Sequence, residues 1–285
     1  MNSHDTSSIS FTAHYTGYVW HHSGLSDAHF ATPRGQLYFQ LLRPFEYLAR
    51  CIIGSDIKTT LLQRHYLIDR ELEALIATAP HLQVLEIACG LSPRGYRFTR
   101  RHAGLTYVEA DLPAMVARKQ SLLAPLDSLD ARHRLVVCNI LEQDTPESLE
   151  AVITREFNPA QPLVVITEGL VNYFDLDTIS AVWQRMAHAL RGFSGGTYLT
   201  DVYPEVSDHR FAGAIRAANR SLKLASRSHF CLHFPDDVRM RDHFQGLGFP
   251  QVTVFDPDRE DTGAPAARGG SLVRVVRATA RQFAQ

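Results

Sequence analysis

Five short apolar runs, separated by stretches of helical character, constrain this chain more than any other feature. They cover 84–88, 105–110, 135–138, 163–167 and 197–202, and helical stretches over 114–123, 147–156 and 176–190 lie between them. Apolar runs of this length without polar alternation suit strands covered on both faces. Strands alternating with helices predict βαβ units, and so an open α/β fold: a mostly parallel sheet with helices on both faces. Upstream, 35–52 and 58–79 read as helices. In the second, Leu61, Ile68, Leu72, Leu75 and Ile76 form one apolar stripe, and Pro80 closes it. Downstream, a helix is expected over 209–226 and another near 235–246. Strands follow at 251–255 and 271–277, with the Gly/Pro/Ala-rich 262–270 as a hairpin loop. Residues 1–8 are polar and expected to fray, while 11–20 are aromatic with no clean period. The expected organisation is an N-terminal lid and helical cap over 1–80 and a core over 81–285, together one structural domain.

Composition excludes several classes of function. At 285 residues, 45% hydrophobic and 21% charged, the chain has ample core, and its net charge of −1 offers no footing for nucleic acid or an anionic membrane. Cys51, Cys89, Cys138 and Cys231 are far apart and make no CxxC or Cys/His ligand spacing, so neither a disulfide framework nor a metal site is expected. The first residues lack a basic region followed by an apolar one, and no apolar run approaches the roughly 18 residues of a membrane span. The expected location is cytoplasmic.

The segment Val84-Leu-Glu-Ile-Ala-Cys-Gly-Leu-Ser-Pro-Arg-Gly95 carries the chemistry. Ligands of open parallel sheets bind beyond the carboxyl ends of the strands. Ala88 and Gly90 leave little side chain there, so backbone can approach a ligand closely. Asp111 follows Gly90 by 21 positions, at the end of the next run, where a carboxylate can accept bonds from both hydroxyls of a ribose. A P-loop is excluded because Tyr96-Arg97 stand where Lys-Ser/Thr would be required, and the dinucleotide pattern GxGxxG is not met. S-adenosylmethionine (AdoMet) has no pyrophosphate and does not need the full glycine set, and Glu86 inside the strand also fits an AdoMet site. The alternative is that Gly90 only permits a tight turn.

In order and spacing, several elements together resemble the leucine carboxyl methyltransferase family, in particular its bacterial O-methyltransferase branch of polyketide and related secondary metabolism. They are Arg64 with Asp69, Glu86-Ile-Ala-Cys-Gly90-Leu, Glu109-Ala-Asp111-Leu-Pro113 with Lys119, Asn139-Ile140, and Glu168-Gly-Leu-Val-Asn-Tyr173. The resemblance implies a class I AdoMet-methyltransferase-like fold, with AdoMet as cofactor and a methyl group transferred to a small acceptor. By the same resemblance Arg64 pairs with the cofactor carboxylate, Gly90 lies under the cofactor and Asp111 holds its ribose. Asn139 and Ile140 flank the adenine, where the family more often has Asp-Leu, and Glu168 meets the amino group. Arg64 shares the stripe of Leu61 and Ile68, so it needs either a buried anionic partner or a route to solvent, and pairing with Asp69 or Glu71 is the alternative. For Glu168 the alternative is a solvated carboxylate or a helix N-terminal charge.

A carboxylate acceptor is ionised at neutral pH and needs no general base, whereas a hydroxyl favours one, commonly histidine. Of fourteen histidines, His14, His21, His22, His229 and His233 fall outside the sheet segments, and none forms a dyad in sequence. The expectation is therefore a small carboxylic acid converted to a methyl ester by alignment, with no catalytic base. The alternatives are a hydroxyl or amine acceptor, or a non-catalytic AdoMet-binding protein. Tyr15 and Tyr18 in the lid, with Tyr173 and Tyr203 at strand ends, are candidate acceptor contacts. Arg210, Arg216, Arg220, Lys223 and Arg227 on the helix over 209–226 are either a cationic face toward an acidic substrate or a solvated surface.

Overall fold

The computed structural model describes residues 7–53, 56–205, 230–267 and 270–282. The helix expected over 209–226 with its five cations, and His229, lie outside them. Seven strands form one sheet in the order β3-β2-β1-β4-β5-β7-β6. The first five are parallel: β1 (Gln83–Ile87), β2 (Thr106–Asp111), β3 (His133–Val137), β4 (Leu163–Thr167) and β5 (Gly196–Val202). β7 (Arg274–Arg281) runs antiparallel between β5 and β6 (Gln251–Phe255). The order reverses direction between β1 and β4, which is where such sheets receive ligands.

Alternation along the strands feeds two cores. Leu85 and Ile87 of β1, with Val108, Ala110, Val165 and Tyr198, face α6 (Leu149–Glu156), α7 (Leu176–Leu190) and α8 (Asp237–Gly246). Val84, Tyr107, Val164, Ile166 and Leu199 face α3 (Ile57–Thr78) and α4 (Arg94–Arg101). α5 (Pro113–Leu123) covers β2 and β3 on that side, its Lys119 reaching Glu109. Side-chain oxygens start several helices: Asp56 accepts from Thr59 N, Asp175 from Thr178 N and Asp236 from Arg239 N.

The expected strands and the helices over 114–123 and 176–190 are found, with shifts at their ends. The last strand begins at Arg274 rather than 271, because Ser271 is spent on a turn: its hydroxyl donates to Gln63 Oε1 and to Val273 O, both at 3.1 Å. Two helices were not expected. The aromatic run read as aperiodic belongs to α1 (Ser7–His22), which packs on α2 (Pro33–Ile53), and Ser7 and Ser8, expected to fray, start that helix. α4 lies in the segment read only as turn and linker.

Candidate active site

The chain turns sharply after β1. Ala88 and Gly90 have φ of +53° and +48°, a region that costs a residue with a Cβ, and Gly90 N donates to Asp111 Oδ2 at 2.8 Å. Leu112 N donates to Asp111 Oδ1 at 2.7 Å. Asp111 thus pins the turn from the neighbouring strand, and each oxygen keeps a second acceptor direction. Burial pushes its carboxyl above the usual range, against the pull of these two backbone bonds. One strand further out, Cys138 N bonds Asp111 O at 3.0 Å, which brings Asn139 and Ile140 to the same edge. Ile140 is buried. The Asn139 amide is held locally, Oδ1 accepting from Leu141 N at 3.1 Å and Nδ2 donating to Glu142 at 3.0 Å.

Beside this turn lies a buried charge cluster that joins residues far apart in the chain. Arg64 is buried as its stripe demanded, but its partners are not Asp69 or Glu71. Its Nε donates to Glu168 Oε1 at 3.1 Å, and its Nη1 donates to Asp201 Oδ2 at 2.9 Å and to Tyr203 Oη at 3.1 Å. The Nη2 edge makes no hydrogen bond among the described residues; it lies over Gly169, where a Cβ would fall 2.7 Å from it. Gly169 N donates to Asp201 Oδ1 at 2.7 Å, closing the loop under Arg64.

Sequence reasoning missed the residue at the centre. Arg94 has no exposed surface, and its guanidinium meets carboxylates from three elements: Asp69 at 2.6 Å, Glu86 at 2.5 Å and Glu168 at 2.6 Å. Its Nη2 also lies 2.9 Å from His65 Nδ1. Glu168 is therefore neither solvated nor a helix-terminal charge. Burial opposes its ionisation, yet His65, Arg94 and Arg64 together hold its carboxyl far below the usual range. Both Glu86 oxygens are taken inside the protein, one by Arg94 and the other by Tyr107 Oη at 2.7 Å. Asp201, His65 and Arg94 left one usable signal in the sequence: Asp69, Glu86 and Glu168 fall on stretches expected to be buried, and buried carboxylates need cations.

Glu86 is in register with Glu109 on β2, so two buried carboxylates stand side by side. Each has its own cation. Lys119 donates to Glu109 at 2.7 Å and His133 Nε2 lies 3.0 Å from it, all three buried. Burial raises the Glu109 carboxyl, but Lys119 and then His133 bring it down to about 2.

The aromatic candidates for acceptor contact separate into two groups. Tyr173 and Tyr203 both meet Phe230 edge-on, at 5.8 and 5.2 Å between centroids. Asn172 ties their loops together, accepting from Tyr203 N at 3.0 Å and donating to Tyr203 O at 3.1 Å. Tyr15 and Tyr18 instead pack on Phe39 of α2. α1 nevertheless reaches the Gly90 turn. A Cβ on Gly90 would sit 3.6 Å from Ala13, one on Gly17 would sit 3.2 Å from Leu91, and the Trp20 ring lies 4.9 Å from that of His65. His14, next to Ala13, is buried; its Nδ1 bonds the Thr32 hydroxyl at 2.7 Å and its Nε2 has no partner among the described residues. Burial, then Arg118 and Arg34, lower its pKa and keep the imidazole neutral near pH 7. A surface hollow of about 210 Å³ lined by Thr197, Arg277 and Thr279 lies at the opposite end of the parallel strands, away from these groups. No helix among the described residues is long and apolar enough to cross a membrane.

Comparison with known proteins gives this geometry a family. A protein of Mycobacteroides abscessus, provisionally named an S-adenosyl-L-methionine-dependent methyltransferase, is 34% identical over 122 residues, 43% of this chain and 38% of the relative. A protein of Mycolicibacterium gilvum with the same provisional name is 35% identical over 95 residues, 33% of this chain and 30% of the relative. The chain thus spans about a third of the length of the curated relatives it matches. Among solved structures, a DUF574-family protein of Streptomyces avermitilis superposes with a TM-score of 0.60 at 15% identity, covering 95% of this chain and 97% of that one. A provisionally assigned methyltransferase of Thermobifida fusca gives 0.59 at 14% identity, covering 95% and 94%. These likenesses establish the class I AdoMet-methyltransferase fold. The family model for leucine carboxyl methyltransferases matches residues 46–187, the span that holds Arg64, Arg94, Asp111 and Glu168, and the chain belongs to the leucine carboxyl methyltransferase family.

Proposed function

We propose that the protein is an AdoMet-dependent methyltransferase that acts on a small-molecule acceptor, a carboxylate that becomes a methyl ester. The observation that carries the cofactor reading is the set of groups left free around one strand edge. Among the described residues, Arg64 keeps its Nη2 edge, Glu168 Oε1 accepts one bond only, and Asp111 keeps an acceptor direction on each oxygen. A cation, an anion and a hydroxyl acceptor match the carboxylate, ammonium and ribose of AdoMet, and we assign Asn139 and Ile140, at the same edge, to the adenine ring. Glu86, with both oxygens occupied inside, supports the turn rather than meeting the cofactor. Arg64 offers the cofactor carboxylate its Nη2 edge alone, since Nε and Nη1 are already engaged.

When bound, the cofactor supplies an electrophilic methyl on a sulfonium. The protein's part is to align the acceptor with it and keep water out. α1 over the Gly90 turn and the Tyr173–Phe230–Tyr203 rings at the strand ends supply apolar cover for that purpose. The carboxylate acceptor rests on the family, together with a turn at which, among the described residues, no histidine bonds to Gly90 or Asp111. His65, which touches Glu168, is fully enclosed by Arg94, Trp20 and that carboxylate. One observation favours a second reading, a hydroxyl acceptor: the neutral His14, whose Nε2 has no partner among the described residues and which adjoins Ala13 near Gly90, has the form of a general base.

Incubation with methyl-labelled AdoMet and a metabolite extract tests both. The expected product releases methanol in mild alkali, and His14→Ala should lower kcat/KM less than about tenfold, well short of the 10²–10⁴ of a lost base. An alkali-stable ether, with a loss of about a thousandfold in His14→Ala while cofactor binding survives, establishes the hydroxyl reading instead. Absence of any labelled product, with AdoMet bound, leaves a binding protein.

A further inference from the structure

We propose that Arg94 is the positioning residue for the amino-acid end of the cofactor, setting Arg64 and Glu168 at the separation that an α-amino acid spans; this rests on the AdoMet reading above. Arg94 cannot itself meet a ligand, because it is fully buried and its donors are directed at Asp69, Glu86, Glu168 and His65. What it controls is the relation between two elements. Asp69 lies on α3, five residues after Arg64, while Glu168 follows β4 directly and Glu86 lies in β1. One planar cation bonded to all three fixes the helix that carries Arg64 against the strand ends that carry Glu168.

It also sets the charge on Glu168. Arg94 takes Oε2 at 2.6 Å, and among the described residues Oε1 accepts only from Arg64 Nε at 3.1 Å, which leaves an ionised oxygen with a spare lone pair beside Arg64. Without Arg94, Glu86 and Glu168 would share a buried site short of one cation, and a carboxylate in that position takes up a proton. A protonated Glu168 no longer attracts an ammonium. Three donor edges in one plane are needed for this arrangement, which an ammonium does not supply.

Calorimetric titration of two compounds tests the idea: S-adenosylhomocysteine, which has the amino-acid end, and 5′-methylthioadenosine, which lacks it. The wild type should prefer the first. In Arg94→Lys, affinity for S-adenosylhomocysteine should fall about ten- to a hundredfold, the range for a lost bond to a charged group. Affinity for 5′-methylthioadenosine should change by less than about threefold, because Asp111 is held by the backbone N–H groups of Gly90 and Leu112 and makes no bond to Arg94 among the described residues. An equal loss for both compounds would show Arg94 to be a general structural residue and overturn the proposal, as would no loss for either. If Arg94→Lys does not fold, the charge-balanced double variant Arg94→Met with Glu86→Gln is read the same way. There too the preference should collapse, and a preserved preference overturns the proposal. A folded wild type that binds neither compound overturns the AdoMet reading itself.

Discussion

At Asp111 the burial that shapes the turn also sets a pH dependence. In the proposed site, ribose hydroxyls would donate to the ionised carboxylate. Its pKa is raised by burial above the ordinary 3.8, so on acidification the proton arrives earlier than at an exposed aspartate. Affinity for S-adenosylhomocysteine should therefore begin to fall at a pH above 3.8, and Asp111→Asn should flatten that fall while binding more weakly throughout. Asp111→Ala should cost about 1.5–3 kcal/mol of binding by calorimetry. Glu109 behaves in the opposite sense. Its folded value of about 2 lies below the ordinary 4.5, so its contribution to stability is present above pH 4.5 and is lost as pH falls from there toward 2. Glu109→Gln leaves Lys119 buried without a counter-charge and should destabilise by about 3–5 kcal/mol in denaturant unfolding, with a flatter stability profile over that interval. The places of Asp111, Gly90 and Glu168 at strand ends and of Arg64 on a helical stripe were legible at this scale, while the parts proposed for Arg64 and Glu168 came from the family resemblance. Arg94 was not: an arginine one residue after a proline in a turn reads as solvent-exposed until the three carboxylates around it are seen together.

Elements were legible where burial is one-sided or complete, and obscure where it is neither. The strands announce themselves as apolar runs, and α3 and α7 as stripes. α4 has the sequence Arg-Gly-Tyr-Arg-Phe-Thr-Arg-Arg, and Phe98 is its one fully buried apolar side chain. It is held by ions, and ion pairs leave no hydrophobic period. α1 is hidden for another reason: Tyr15 and Tyr18 pack on Phe39, while Ala13, Gly17 and Trp20 meet the cofactor turn and His65. A helix buried on two sides has no polar face to give it a rhythm. α4 approaches the sheet at Gly95, where a Cβ would lie 2.7 Å from the Glu109 carboxyl and 2.8 Å from His133 Nε2. Gly95→Ala should push α4 off the sheet and destabilise by about 1–3 kcal/mol, the usual cost of overpacking, despite alanine's better helix propensity. A thermal scan that finds Gly95→Ala more stable than wild type refutes this packing.

Across the whole molecule, the reversal of strand order between β1 and β4 gathers α3, the Gly90 turn and the Glu168 loop at one edge, and α1 closes over that edge from the start of the chain. The seat of α1 has a consequence in time. If the cofactor binds at the proposed site, it would have to pass α1, whose Ala13 and Gly17 lie close to Gly90 and Leu91, so that each turnover would include an opening step, of a kind that often limits kcat. Rapid-quench measurements should show a burst of about one methyl group per enzyme molecule before the steady rate. Trp20 supplies a clock for the step. It is one of two tryptophans in the chain and lies on His65, so its emission should shift when S-adenosylhomocysteine is chased out, at the steady-state kcat, and the signal should vanish in Trp20→Phe. A helix that the sequence pattern barely marks would then set the tempo of the catalytic cycle.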